Sequence, residues 1–189
     1  MNAIRKLCTM ALLVALSIVL FTIFRFPPFP VVAGHLEYDM ADVPILIGSF
    51  MFGPIAGLVL TLVASVIQGL TVSAQSGPVG ILMHFIGTGA FVVTAGTIYK
   101  YKKTYLGAII GLVCGTLARA AIMIPANLTI TVRFYHVPYE VVKGMLLPVI
   151  IPFNLLVAGI NSVIVFALYK PIKLLFMEKT KNDDQFAAH

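Results

Sequence analysis

The chain has 189 residues, 60% of them hydrophobic and 11% charged, with a mean hydropathy of +1.02. Soluble domains carry about 25% charged residues, so a chain this poor in charge cannot cover its outside with polar groups; it belongs in a bilayer, and its length suits one domain of about six spans at about 20 apolar residues each. The net charge of +6 does not point to nucleic acid, because Arg5, Lys6, Lys100, Lys102, Lys103, Lys170, Lys173, Lys179 and Lys181 all flank apolar runs, as membrane anchors governed by the positive-inside bias do, with anionic lipid as a secondary contact.

The first helix is expected from Leu7 to Phe24, ended by the proline cluster of RFPPFP, since proline removes a donor and fixes φ. Its basic start resembles a signal peptide, but no small-residue cleavage site precedes Phe24 to Pro30, so it is read as retained. The loop from Arg25 to Asp42 carries Glu37, Asp39 and Asp42 and runs directly into an apolar segment, Val43 to Phe52. That segment is only about 15 Å long at 1.5 Å per residue, half the hydrocarbon thickness. Gly53-Pro54 breaks it, and Ile55 to Leu70 continues apolar. A polar turn, Thr71 to Gly77, leads to Val79 to Ile98 and the YKYKK junction; Leu106 to Ile124 follows, interrupted by Arg119. After a polar, proline-bounded stretch from Asn127 to Met145, the last helix runs from Leu147 to Tyr169. Residues 1–172 thus form one membrane domain, with 173–189 a polar cytoplasmic tail.

Charge parity decides how the short segment is counted. If Val43 to Leu70 crossed once, the YKYKK junction would face the side opposite Arg5 and Lys6; two crossings put all the flanking cations on one face. The expected fold is therefore an all-α membrane protein of six transmembrane helices with both termini cytoplasmic. A short helix is tolerated at membrane depth only where protein or a cavity covers it. The long first outer loop is accordingly expected to dip inward as a lid over a pocket.

Polar residues inside the spans are the informative minority, because each is costly in hydrocarbon and tends to face a partner or a cavity. They are Gln68, His84, Arg119, Asn127, Asn154 and Asn161. Asn154 and Asn161 lie two helical turns apart and share a face; an amide offers donor and acceptor together, which suits the imide-like edge of a heterocycle, although an interhelical hydrogen bond is the plainer role. Arg119 requires a carboxylate or helix-end carbonyls, either as an anchor or in a site. His84 is either a core histidine or a ligand contact. Lys143, beside Glu140, is a solvated cation or a contact for a polar ligand tail.

Ala11 and Ala15 form a small-xxx-small pair, and Gly107 with Gly111 another, both permitting close helix approach. Cys8 and Cys114 have no metal or disulfide spacing. The chain lacks GxxxxGK[ST], HExxH and GxSxG and has no ladder of carboxylates through its spans, so ATP hydrolysis, metalloprotease chemistry and ion coupling are not encoded. No enzyme is expected, and no metal or cofactor. A stand-alone secondary transporter would need inverted repeats and intramembrane acids, and neither is seen.

The AxxxA of the first helix, the loop motif YDMADVPILIGSFMFGPIAG, the IPAN ending at Asn127 and the IIPFN ending at Asn154 together resemble the substrate-binding S components of energy-coupling factor (ECF) vitamin transporters, most of all the riboflavin-specific members. The resemblance covers about Ala3 to Ile172 and implies a six-helix plasma-membrane protein of a prokaryote that captures its vitamin from outside. Its implied partners are a membrane-embedded coupling subunit, met by Ala11 and Ala15, and two cytoplasmic ATPases. The implied ligand site draws on Leu36, Glu37, Tyr38 and Asp39 of the first loop, on His84 and Phe85, and on Asn127, Lys143, Phe153, Asn154 and Asn161. Riboflavin would be transported cargo, not a cofactor. Riboflavin members often carry a lysine three residues after the IIPFN asparagine, where this chain has Val157; this leaves riboflavin, a flavin nucleotide and another vitamin open.

Overall fold

The computed structural model describes residues 3–24, 38, 40–74 and 77–186, with side chains through Tyr169. Among the described residues six helical rods follow in order: α1 (Ala3–Ile23), α2 (Asp42–Phe52), α3 (Pro54–Leu70), α4 (Gly77–Tyr101), α5 (Tyr105–Phe134) and α6. The last begins at Tyr139–Met145, passes through a π-helical turn at Leu146–Ile150 and continues as Ile151–Phe186. Among the described residues four rods are long and apolar enough to cross a bilayer, namely α1, α4, α5 and the Tyr139–Tyr169 part of α6; α2 and α3 are shorter.

Two expectations change in detail. The polar, proline-bounded stretch expected from Asn127 to Met145 is largely helical: α5 runs past Pro125 through a π-helical turn, Asn127–Thr131, to Phe134, and helix resumes at Tyr139. Proline cannot donate to the i−4 carbonyl and crowds it, and a wider π turn is one way for a helix to absorb that defect without ending. Pro148 sits inside the second π turn, so IPAN and IIPFN each border one. The last helix, too, extends through Phe186 rather than closing at Tyr169.

The break between α2 and α3 is made by Gly53, whose φ of 94° is open to glycine and strained for other residues. Pro54 then starts α3, at the first helical position where its missing N–H costs nothing. This hinge marks one end of the bundle: Lys6 lies over the Phe52 ring at 5.8 Å, Phe50 stacks on Tyr99, and Tyr99 meets Tyr169 hydroxyl to hydroxyl at 3.0 Å. The start of α1, the α2–α3 hinge, the α4–α5 junction and Tyr169 therefore share one end, which gathers Lys6, Lys100, Lys102 and Lys103 as charge parity requires. The short α2 and α3 do run in and back.

Packing is by small residues against backbone. On α5, a Cβ added at Gly111 would meet the Ala95 carbonyl oxygen at 2.8 Å, and one added at Gly115 would meet the Phe91 ring at 2.6 Å. Such close approach substitutes van der Waals contact for a hydrophobic drive that lipid does not supply. α3 shows the resulting sidedness: Ile55, Val59, Leu62, Val66 and Leu70 are exposed, whereas Gly57, Thr61, Ser65 and Gln68 are buried. The apolar face is turned to lipid and the polar one inward, as the cost of polar groups in hydrocarbon dictates. The core itself joins Val14, Leu46, Leu60, Phe91, Leu112 and Val165.

Candidate functional site

The interior is organised around Asp42. It opens α2 immediately after the first loop and is 1% exposed, so its carboxylate must be compensated from other helices. Oδ2 receives the Nη1 hydrogen of Arg119 from α5, and Oδ1 receives the Thr88 hydroxyl of α4 at 2.7 Å. The Asn161 amide of α6 donates to Oδ2 at 3.4 Å, and His84 Nε2 stands 3.7 Å from Oδ1. Arg119, itself 7% exposed, also donates from Nη1 to Thr88 Oγ1 and from Nε to Asn154 Oδ1, each at 3.4 Å. A carboxylate and a guanidinium so enclosed bind α2, α4, α5 and α6 through charge-assisted hydrogen bonds.

The candidate residues fall into three groups. Tyr38, Phe153, Asn154 and Asn161 come together: Tyr38 is 3% exposed, packs with Phe153 and Val157, and donates its hydroxyl to Asn161 Oδ1 at 3.0 Å. Met40 packs on the same cluster. The shared face expected for Asn154 and Asn161 is present, and Val157, Ala158 and Val165 complete it, all 2% exposed or less. Asn154 keeps its orientation by donating Nδ2–H to the Ile150 carbonyl at 2.8 Å.

His84 approaches from the other side of Asp42. Ser65 Oγ donates to the Thr61 carbonyl, and with that proton committed it accepts the Nδ1–H of His84 at 2.7 Å. Phe85 is half-buried beside it.

Asn127 and Lys143 stand apart. Asn127 is 8% exposed, but among the described residues its amide bonds its own helix, giving Nδ2–H to Met123 O and taking the Thr131 hydroxyl at Oδ1. Lys143 is exposed, 3.8 Å from Glu140 and over the Tyr139 ring. Leu36, Glu37 and Asp39 lie outside the described residues. Ala11 and Ala15 are both exposed on α1, on a face flanking the buried stripe of Val14, Ser17 and Phe21.

Thr88, Ser65 and the inward role of Asp42 escaped the sequence reading. Each had a faint signal: Asp42 heads an apolar helix without a spacer, Arg119 needs a counter-charge, and Thr88 stands one turn after His84.

A polytopic helical bundle with a sparsely polar interior, on which the end of a long loop is packed, is the form of a membrane-embedded solute-binding protein. Residues 5–169 match the family model of the ECF transporter substrate-specific component, and the chain belongs to that family. It is a multi-pass membrane protein and not an enzyme. Riboflavin transporter RibU of Staphylococcus aureus (strain TCH60) is 30% identical over 172 residues, 88% of this chain and 89% of that one. Riboflavin transporter FmnP of Bacillus subtilis (strain 168) is 28% identical over 173 residues, 87% and 90% of the two chains. The fold is similar, with a TM-score of 0.79 and 30% identity, to a solved S component of a bacterial ECF transporter, covering 93% of this chain and 99% of that chain.

Proposed function

We propose that the chain captures riboflavin from outside the cell as the substrate-binding subunit of an ATP-driven ECF importer. The observation that carries this reading is Tyr38, the end of the first loop, seated on Phe153 and Val157 and bonded to Asn161. We read Tyr38 docked on the IIPFN helix as the end of a lid in its closed position. The relatives in Staphylococcus aureus and Bacillus subtilis, named riboflavin transporters, support the same ligand.

The chemistry fits. An isoalloxazine is a flat apolar ring system with one hydrogen-bonding edge, and sites for such ligands are mostly apolar with a few placed polar groups. In this reading Tyr38, Phe85 and Phe153 supply aromatic surface, and Asn127 and Asn154 address the ring edge. His84, Asn161 and Lys143 serve the hydroxylated chain, and Leu36, Glu37 and Asp39 close the lid. Val157, where a lysine often stands, adds apolar wall. A membrane-embedded coupling subunit docks along Ala11 and Ala15, two cytoplasmic ATPases supply the energy, and residues 173–189 face the cytoplasm.

Titration of the purified protein with riboflavin, followed by quenching of flavin fluorescence, tests this. Saturable one-to-one binding that flavin mononucleotide competes for only weakly is expected. Absence of quenching, or preference for the nucleotide, overturns the ligand assignment.

A further inference from the structure

Gln68 is 3% exposed, and its Nε2 is a buried side-chain nitrogen with no hydrogen-bond partner among the described residues. Leaving a buried amide donor unpaired forfeits its solvation without return, and folded proteins keep few such groups. The cost is not relieved by alternatives that the chain has close at hand. The two neighbours on the same inward row of α3, Thr61 and Ser65, satisfy their hydroxyls on backbone carbonyls one turn back, at 2.9 and 2.7 Å. Gln68 does not follow them.

Its position is also fixed. The Gln68 carbonyl receives Thr71 N–H at 3.3 Å and Ser73 N–H at 2.8 Å, closing the end of α3. The adjacent Gly69 lies so close to the Ile81 side chain that no Cβ fits, which locks this turn of α3 onto the start of α4. One turn below, Ser65 holds His84, and His84 stands beside Asp42. Because α3 starts at the lysine-bearing end, Gln68 is at the opposite end of the bundle, on the side of the docked Tyr38.

We propose that Gln68 is a further ligand-binding residue, whose Nε2–H donates to an oxygen acceptor of the captured solute, a ring carbonyl or a chain hydroxyl. This rests on the reading of the chain as a solute-capturing subunit. A buried amide donor that the fold leaves without an acceptor gains its hydrogen bond only when a solute supplies one, so its desolvation cost has already been met by the fold. It also gives selectivity, because an analogue lacking the oxygen leaves the donor unpaired again.

The experiment compares wild type with Q68M, which keeps the length of the side chain and removes the donor. Riboflavin affinity and the ligand-free melting temperature in detergent are both read. Expected is a loss of affinity of about ten-fold or more with a ligand-free Tm equal to or above that of wild type, since an unpaired polar group has been removed. Unchanged affinity overturns the proposal, and so does a loss of affinity that accompanies a lowered ligand-free Tm, the pattern of a packing residue. Should Q68M not fold, Q68L removes the donor with a smaller apolar side chain, and wild-type affinity in Q68L equally overturns it. Lumiflavin, which keeps the ring and lacks the hydroxylated chain, identifies the partner: a persisting Q68M loss assigns it to a ring carbonyl, and a vanished one to a chain hydroxyl. Wild type that binds no riboflavin at all would fail the ligand reading rather than the role of Gln68.

Discussion

Arg119 of α5 donates from Nη1 to Asp42 at the head of α2, pairing two ions 77 residues apart inside the bundle. Removing one partner of a buried pair leaves an uncompensated charge, at a cost of about 3–5 kcal/mol, whereas replacing both by apolar groups of like volume is often neutral. R119M and D42L should each lower the melting temperature in detergent sharply, and the double variant should recover much of the loss. Additive losses in the double variant would mean that the two side chains act independently.

The Tyr38 hydroxyl is the polar latch between the first loop and α6. Y38F keeps the ring on Phe153 and Val157 but loses the bond to Asn161, a difference of about 0.5–1.5 kcal/mol. Riboflavin should leave the variant about two- to ten-fold faster than wild type, with the association rate little changed. Stopped-flow fluorescence reads both rates, and an unaltered off-rate would show that this contact does not hold the lid.

Asn154 is placed by Arg119 on one side and by the Ile150 carbonyl on the other. N154A should weaken riboflavin binding by about 1–3 kcal/mol, the cost of an unpaired ligand group. Unchanged affinity by fluorescence titration would remove Asn154 from the site.

Ala11 and Ala15 lie exposed on the outer face of α1. Replacing both with leucine should leave riboflavin binding by the isolated subunit intact and abolish uptake into cells. Normal uptake by the double variant would move the coupling seam to another face.

The gathering of Lys6 and the YKYKK lysines at one end of the bundle fixes sidedness. A cysteine introduced as K102C should resist a membrane-impermeant maleimide in whole cells, whereas one introduced as K143C should react. The reverse labelling would invert the topology.

What the sequence determined by itself are properties carried by local period and solvent preference. Apolar runs gave the spans, Gly53-Pro54 the hinge of the short pair, flanking lysines the common end, and the Asn154 and Asn161 spacing their shared face, because a helix of fixed pitch converts each of these into geometry. Tertiary structure alone decided partners. Asp42 reads as one acid of a watery loop, yet it is the counter-ion of Arg119; Asn127 reads as an uncommitted amide, yet part of its capacity is taken by Met123 and Thr131 of its own helix; Gln68 reads as one polar residue among six, yet its donor is unpaired among the described residues. Which buried group meets which depends on the helices that happen to be neighbours and on the cost of leaving a charge or donor unmet in a medium without water, and no spacing along the chain encodes that.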